Sequence, residues 1–178
     1  PSYPGAPTKD ALVPGVNFQA DYATRMQGLY AGYKLDEALL STIGKSTIDV
    51  YPYNNEYMFA NNLNYSHRPS FQNYMTLTPA LDSMNESFFN SSARPQFVLW
   101  SAGIACVSEN CNVFDAFDRK YSLNEDPLTV NAILLNYHVV ANSKGKGGVP
   151  LILLEANSEK AVAAEQSLSE TTMKFGEW

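Results

Sequence analysis

The side chains best equipped for recognition chemistry sit in the first two thirds of the chain: Tyr53, Arg68, Gln72 and Tyr74, supported by Tyr51, Asn54, Asn73, Trp100 and Ser101. Aromatic faces stack on sugar rings or peptide planes. Amides and hydroxyls make neutral hydrogen bonds, and a desolvated guanidinium adds a charge-assisted one. The set suits a glycan or a peptide ligand. The same groups can instead hold loop backbone in place, because buried polar atoms need partners. Asp115 and Asp118, in FDAFDRK, have the pairing that glycoside hydrolysis uses, and equally the means to cap a turn or pair with Arg119. His67 offers anion binding or proton transfer, or a solvated strand edge. His138, in YHVVA, reads as structural. Cys106 and Cys111 stand close enough for a local disulfide, and are otherwise free thiols or, with further ligands, part of a metal site. Asn64, Asn85 and Asn90 each open an Asn-x-Ser/Thr triplet, which matters only in a eukaryotic source.

Other chemistry is excluded by what is missing. Neither a P-loop nor GxGxxG occurs, and SKGKGG lies between two strand-like segments rather than before a helix. There is no GxSxG elbow and no HExxH, so the sequence names no catalytic residue, no cofactor and no metal. With 12 basic and 18 acidic side chains the net charge is −6, without a basic run; nucleic acid and anionic membrane surfaces are poor partners. No apolar run reaches the roughly 18 residues of a membrane span, and no signal peptide is present. The charged fraction of 17% is low, with Asn, Ser, Thr and Tyr in its place, as in secreted and cell-surface proteins. The start at Pro1 and the end at Phe175-Gly176-Glu177-Trp178 read as those of a fragment cut within a strand.

These residues need a frame. A length of 178 residues fits one domain able to bury a core without disulfide or metal. Residues 1–17, rich in Pro, read as an extended arm; 18–156 as an α/β domain; 157–178 as a linker and the start of a truncated strand region. Helical spacing from Phe18 is followed by a short helix, Asp36 to Ile43, closed by Gly44. Strands are expected at Ser46–Tyr51, Arg68–Tyr74 and Gln96–Ser101, and helices at Asn54–Leu63, from Thr78-Pro79 to Phe89, and at Pro127–Asn136. Tyr137–Ala141 and Val149–Glu155 read as a hairpin. The alternation predicts a three-layer α/β sandwich with a mainly parallel sheet and an antiparallel edge hairpin. Tyr53, Gln72, Tyr74 and Arg68 would then rim the carboxyl ends of the strands, where ligands gather in open sheets.

The strings STIDVYPYNNEYMFANNLNYSHRPSFQNYMTLTPALDSMNESFF, ARPQFVLW and YHVVANSK…VPLILLEAN resemble the soluble extracytoplasmic region of large bacterial multipass membrane proteins of uncharacterised activity. Some of these are loosely similar in organisation to integral-membrane glycosyltransferases. The recurring wording falls on Arg68, Pro69, Gln72, Tyr74, Thr78, Pro79, Leu81 and Asn85. Asn73, Leu77, the position of Asp118 and the Cys106–Cys111 stretch depart from it. The resemblance implies an extracytoplasmic, periplasmic or cell-surface domain with a membrane-embedded parent and no catalytic residue to carry over. The expected function is non-catalytic binding of a glycan or an envelope partner. The alternatives are an acceptor-holding accessory domain of a membrane glycosyltransferase, or a glycoside-processing enzyme using Asp115 and Asp118.

Overall fold

The computed structural model describes residues 18–101, Phe114 and residues 121–158, with side chains described from Ala20. The arm over 1–17, Cys106, Cys111, Asp115, Asp118 and the segment from 159 lie outside the described residues.

The chain begins with two helices. Helix α1 spans Phe18–Ala31, and α2 spans Glu37–Ile43. Asp36 caps α2 by accepting from Leu39 N, and Gly44 closes it at a φ of 55°, which favours glycine. Strand β1 (Thr47–Tyr51) follows, then α3 (Glu56–Ala60) and the two-residue β2 (Asn64–Tyr65). Helix α4 (Pro79–Phe89) starts as the Thr78-Pro79 pair predicts, with the Thr78 hydroxyl accepting from Leu81 N. Strand β3 (Phe97–Ser101), helix α5 (Pro127–Asn136) and the strands β4 (Tyr137–Lys144) and β5 (Pro150–Ala156) complete the order.

The fold is α/β; the described residues form one mixed five-stranded sheet in the order β2-β1-β3-β5-β4. Strand β1 runs parallel to β2 and β3, whereas β5 is antiparallel to both β3 and β4. Parallel pairing is therefore confined to two of the four interfaces, and the expected dominance of parallel strands is not met. The strand expected at Arg68–Tyr74 is absent. The strand beside β1 is the short Asn64–Tyr65, and residues 73–75 form a 3-10 turn. The helix expected at Asn54–Leu63 is shorter, at Glu56–Ala60.

The strand alternation divides the core. Ile48, Val50, Phe97, Leu99, Leu151 and Leu153 pack with Leu39 and Ile43 of α2 and Tyr57 and Met58 of α3. Tyr51, Val98, Trp100 and Leu154 turn to the other side, against Phe89 of α4 and Val130 and Ile133 of α5. Each fully buried side chain of this kind stabilises by about 1.5–3 kcal/mol. The apolar run Phe97–Trp100 in β3 follows from burial on both faces. Among the described residues no helix is long and apolar enough to cross a membrane.

Candidate functional site

The site forms where β1 ends and the segment from Ser66 to Thr78 passes over it. Asp49 interrupts the β-branched run of β1 and is fully buried. Its charge is met by Arg68, also fully buried, whose Nη1 donates to Asp49 Oδ2 at 3.0 Å and to Val50 O at 2.7 Å. Nη2 donates to Pro52 O and, at 3.0 Å, to Phe71 O. Burial pushes the Asp49 carboxyl up, opposed by Arg68 and by the backbone N–H groups of Val50 and Arg68. The Arg68 guanidinium also lies over the Tyr51 ring, 5.1 Å from its centroid, a favourable cation–π geometry. The Tyr51-Pro52 peptide is cis, and it delivers the Pro52 carbonyl to both Arg68 and Asn73 N.

The loop above Arg68 is clamped from inside. Asn85 of α4 accepts from Ser70 N at 2.8 Å and donates to Ser70 O at 3.1 Å, replacing the two bonds a neighbouring strand would make. Asn73 is buried, donates to Glu125 and accepts from Tyr74 N at 2.9 Å. The Thr76 hydroxyl donates to Ser70 Oγ at 3.0 Å. The apolar side chains point the other way. Phe71 and Met75 are exposed, Tyr74 is 40% exposed and Leu77 76%. Tyr74 stands edge-on to Tyr53, with ring centroids 5.4 Å apart.

Beneath the loop, Asp82 joins two helices. It lies in the first turn of α4 yet accepts from Leu128 N, Thr129 N and the Thr129 hydroxyl at 2.7–3.0 Å, so it caps α5. Asp126 holds the N-cap position of α5 but makes no side-chain cap bond. Its Oδ1 accepts from the Tyr51 hydroxyl at 2.6 Å, and its buried Oδ2 has no partner among the described residues. Burial pushes the Asp126 carboxyl up to about 7 against the Tyr51 hydrogen bond. Burial and Asp126 together push the Tyr51 hydroxyl well above its ordinary value. Thr76, Leu77, Thr78, Pro79, Asp82, Glu125, Pro127 and Leu128 enclose a cavity of about 280 Å³ beside the loop.

Of the expected site residues, Tyr53 is buried and meets the exposed Tyr74, Gln72 is half-buried, and Arg68 lies wholly inside. Asn54 donates to Ser101 Oγ at 2.8 Å, tying the ends of β1 and β3. His67 is exposed, donates from Nδ1 to Arg68 O and lies beside Tyr65 and Phe71. His138 lies at the opposite end of the sheet with Arg94, Gln96 and Glu155, along a groove of about 820 Å³. Of the Asn triplets, Asn64 is exposed, whereas Asn85 is fully buried and Asn90 accepts from Asn136. Sequence reasoning passed over Asp49, Asp82 and Asp126. An acid inside STIDVY was the available signal for Asp49, since a buried carboxylate demands a cation. Among the described residues no group of three or more His, Cys, Asp or Glu could hold a metal. Comparison with protein-family models, curated proteins and solved structures gives no match to the chain.

Proposed function

We propose that this chain is a non-catalytic recognition domain of an extracytoplasmic region, attached to a membrane-spanning parent. It binds a glycan or an envelope protein through the loop Phe71–Leu77. One observation carries the reading: the loop is inside out. Its backbone and polar groups are bonded inward by Arg68, Asn73 and Asn85, while Phe71, Tyr74, Met75 and Leu77 face outward. A loop fixed before contact loses little entropy on binding, and aromatic side chains supply large contact area with few rotors. In this reading Gln72 and Tyr74 meet the ligand, the buried Tyr53 ring backs Tyr74, and Arg68 acts by holding Phe71 O. The helices on the two sheet faces serve as outer layers of a three-layer sandwich, and its parallel part, β2-β1-β3, presents the loop. The extracytoplasmic placement and the parent rest on the sequence resemblance alone.

The cavity beside Leu77 favours a second reading, an accessory domain that holds the acceptor of a membrane glycosyltransferase. Its lining combines the Thr76 and Thr78 side chains with the Glu125 carboxylate, groups that bond sugar hydroxyls. The glycoside-processing alternative depends on Asp115 and Asp118, outside the described residues.

Titration with soluble envelope glycan fragments, together with photocrosslinking from position 77 in the parent protein, tests the proposal. Tyr74→Ala and Leu77→Ser should each weaken binding by about tenfold or more, the usual scale for a central contact, with Tm unchanged. Lowered Tm with binding intact would mean that the loop only supports the fold.

A further inference from the structure

Strand β4 lies at the edge of the sheet, and its outer backbone edge meets no other strand among the described residues. At eight residues it is the longest strand among the described residues, and it contains no proline. The opposite edge, β2, has only two residues. A long edge strand offers a row of free N–H and C=O groups, a template for another strand. The middle of β4 is also apolar and uncovered, with Val139 54% and Val140 37% exposed.

We propose that β4 pairs antiparallel with β4 of a second copy of this chain, about a two-fold axis between Val140 and Ala141, making one continuous sheet. The strand's own sequence selects this occupant. The axis sets Val140 against Ala141, Val139 against Asn142, His138 against Ser143 and Tyr137 against Lys144. The most apolar residues meet at the centre, polar residues flank them, and each terminal lysine falls opposite a tyrosine. No like charges face each other, which cross-strand pairing penalises. Residues 137–149 include no acid in a chain of net charge −6, so the strand carries only Lys144 as a charge and places it at the far end of the pairing. The usual guards of an edge are a bulge and lysines. Here the irregularity falls between Val139 and Ala141, at the midpoint, leaving the flanking segments 137–139 and 141–144 regular for pairing. Self-association through one patch gives a closed, isologous dimer rather than a fibre. A single strand pair is smaller than a standard interface, so the dimer is weak, with a Kd on the micromolar scale or above.

Sedimentation equilibrium of the full chain from about 5 to 500 µM, a range chosen to bracket that affinity, tests the proposal, paired with amide hydrogen exchange at both ends of the range. The expected result is a mass rising toward twice that of the monomer. Exchange at Val139–Ser143 should slow with concentration, while β1 and β3 stay unchanged. Val140→Pro, which disrupts the strand at the proposed axis, should remain monomeric. If that variant misfolds, Val139→Lys, placing a charge at the centre, serves in its stead. A mass that stays monomeric overturns the proposal, as does a dimer whose β4 exchange ignores concentration. Slow β4 exchange at every concentration in a monomer overturns it too, by showing the edge covered from within the chain.

Discussion

Arg68 Nη1 stands 3.0 Å from Asp49 Oδ2, and neither side chain reaches solvent. The pair fixes the end of β1 to the loop that crosses it, because the same guanidinium also holds carbonyls of Val50, Pro52 and Phe71. Breaking a buried pair strands the other charge, so Arg68→Met and Asp49→Asn should each cost about 3–5 kcal/mol. The double variant Asp49→Leu/Arg68→Met should lose less than the sum of the single losses, yet not recover fully, since three carbonyls each lose the bond from Arg68. Urea unfolding of all four proteins gives the coupling. Additive losses would show that the two side chains do not act as a unit.

Asp82 should matter more than an exposed acid near a helix start. Replacing it with Ala leaves Leu128 N, Thr129 N and the Thr129 hydroxyl without their acceptor. The expected cost is about 1–3 kcal/mol, from a lost cap and buried unsatisfied donors. Asp82→Asn, which keeps an acceptor oxygen, should retain part of that. Thermal unfolding at constant pH distinguishes them, and equal losses in the two variants would argue against the capping role.

Asp126 gives stability a pH dependence of a defined sign. Its carboxyl is raised to about 7 in the folded protein, against about 3.9 in an unfolded chain. Between those values the folded state keeps a proton that the unfolded state releases. Its contribution is therefore complete below about pH 4, declines as pH rises and levels off above about pH 7. The loss is on the order of a few kcal/mol. Asp126→Asn should remove this part of the slope. Tyr51→Phe, which deletes the donor that holds the value down, should carry the decline to higher pH. Urea midpoints measured across that range are the check, and a slope unchanged by Asp126→Asn would assign it to another group.

Two glycines should respond oppositely to alanine. A Cβ at Gly145 would lie 2.0 Å from the Tyr57 hydroxyl oxygen, which also accepts from Lys146 N. Gly145→Ala must therefore displace a buried ring, with an expected loss of about 1–3 kcal/mol. Gly28, within α1, has nothing within 4 Å of a Cβ. Gly28→Ala should be neutral or stabilise by up to about 1 kcal/mol, through helix propensity. Thermal midpoints of the two variants moving in the same direction would contradict this.

The elements that the sequence made legible are those whose backbone bonds stay local or follow the apolar pattern. Thr78-Pro79 marks the start of α4, Gly44 the end of α2, and QFVLWS the doubly covered β3. The segment from Arg68 to Tyr74 has strand-like composition but no strand. Much of its backbone is bonded by the side chains of Arg68, Asn73 and Asn85, and no local pattern announces a ladder replaced by side chains. A strand over Arg68–Tyr74 would put Tyr53 and Tyr74 on one rim; their rings do meet, but a 3-10 turn rather than a strand end brings Tyr74 there. Arg68 was legible as important but not as buried, since its partner Asp49 lies across β1 and only the fold brings them together. Asp126 was hidden by its setting: an acid before Pro at a helix start reads as a cap, while that task falls to Asp82.

The four-acceptor grip of Arg68 also bears on how this surface can diversify. A lysine has one ammonium on a single axis and cannot reach Asp49, Val50, Pro52 and Phe71 together. A single substitution at either charge strands the other, so the mount of the loop tolerates change poorly. The outward side chains of Phe71, Tyr74, Met75 and Leu77 carry none of that load. They form a face that can be changed on a fixed mount, so substitutions there alter the outer surface while preserving how the loop is held.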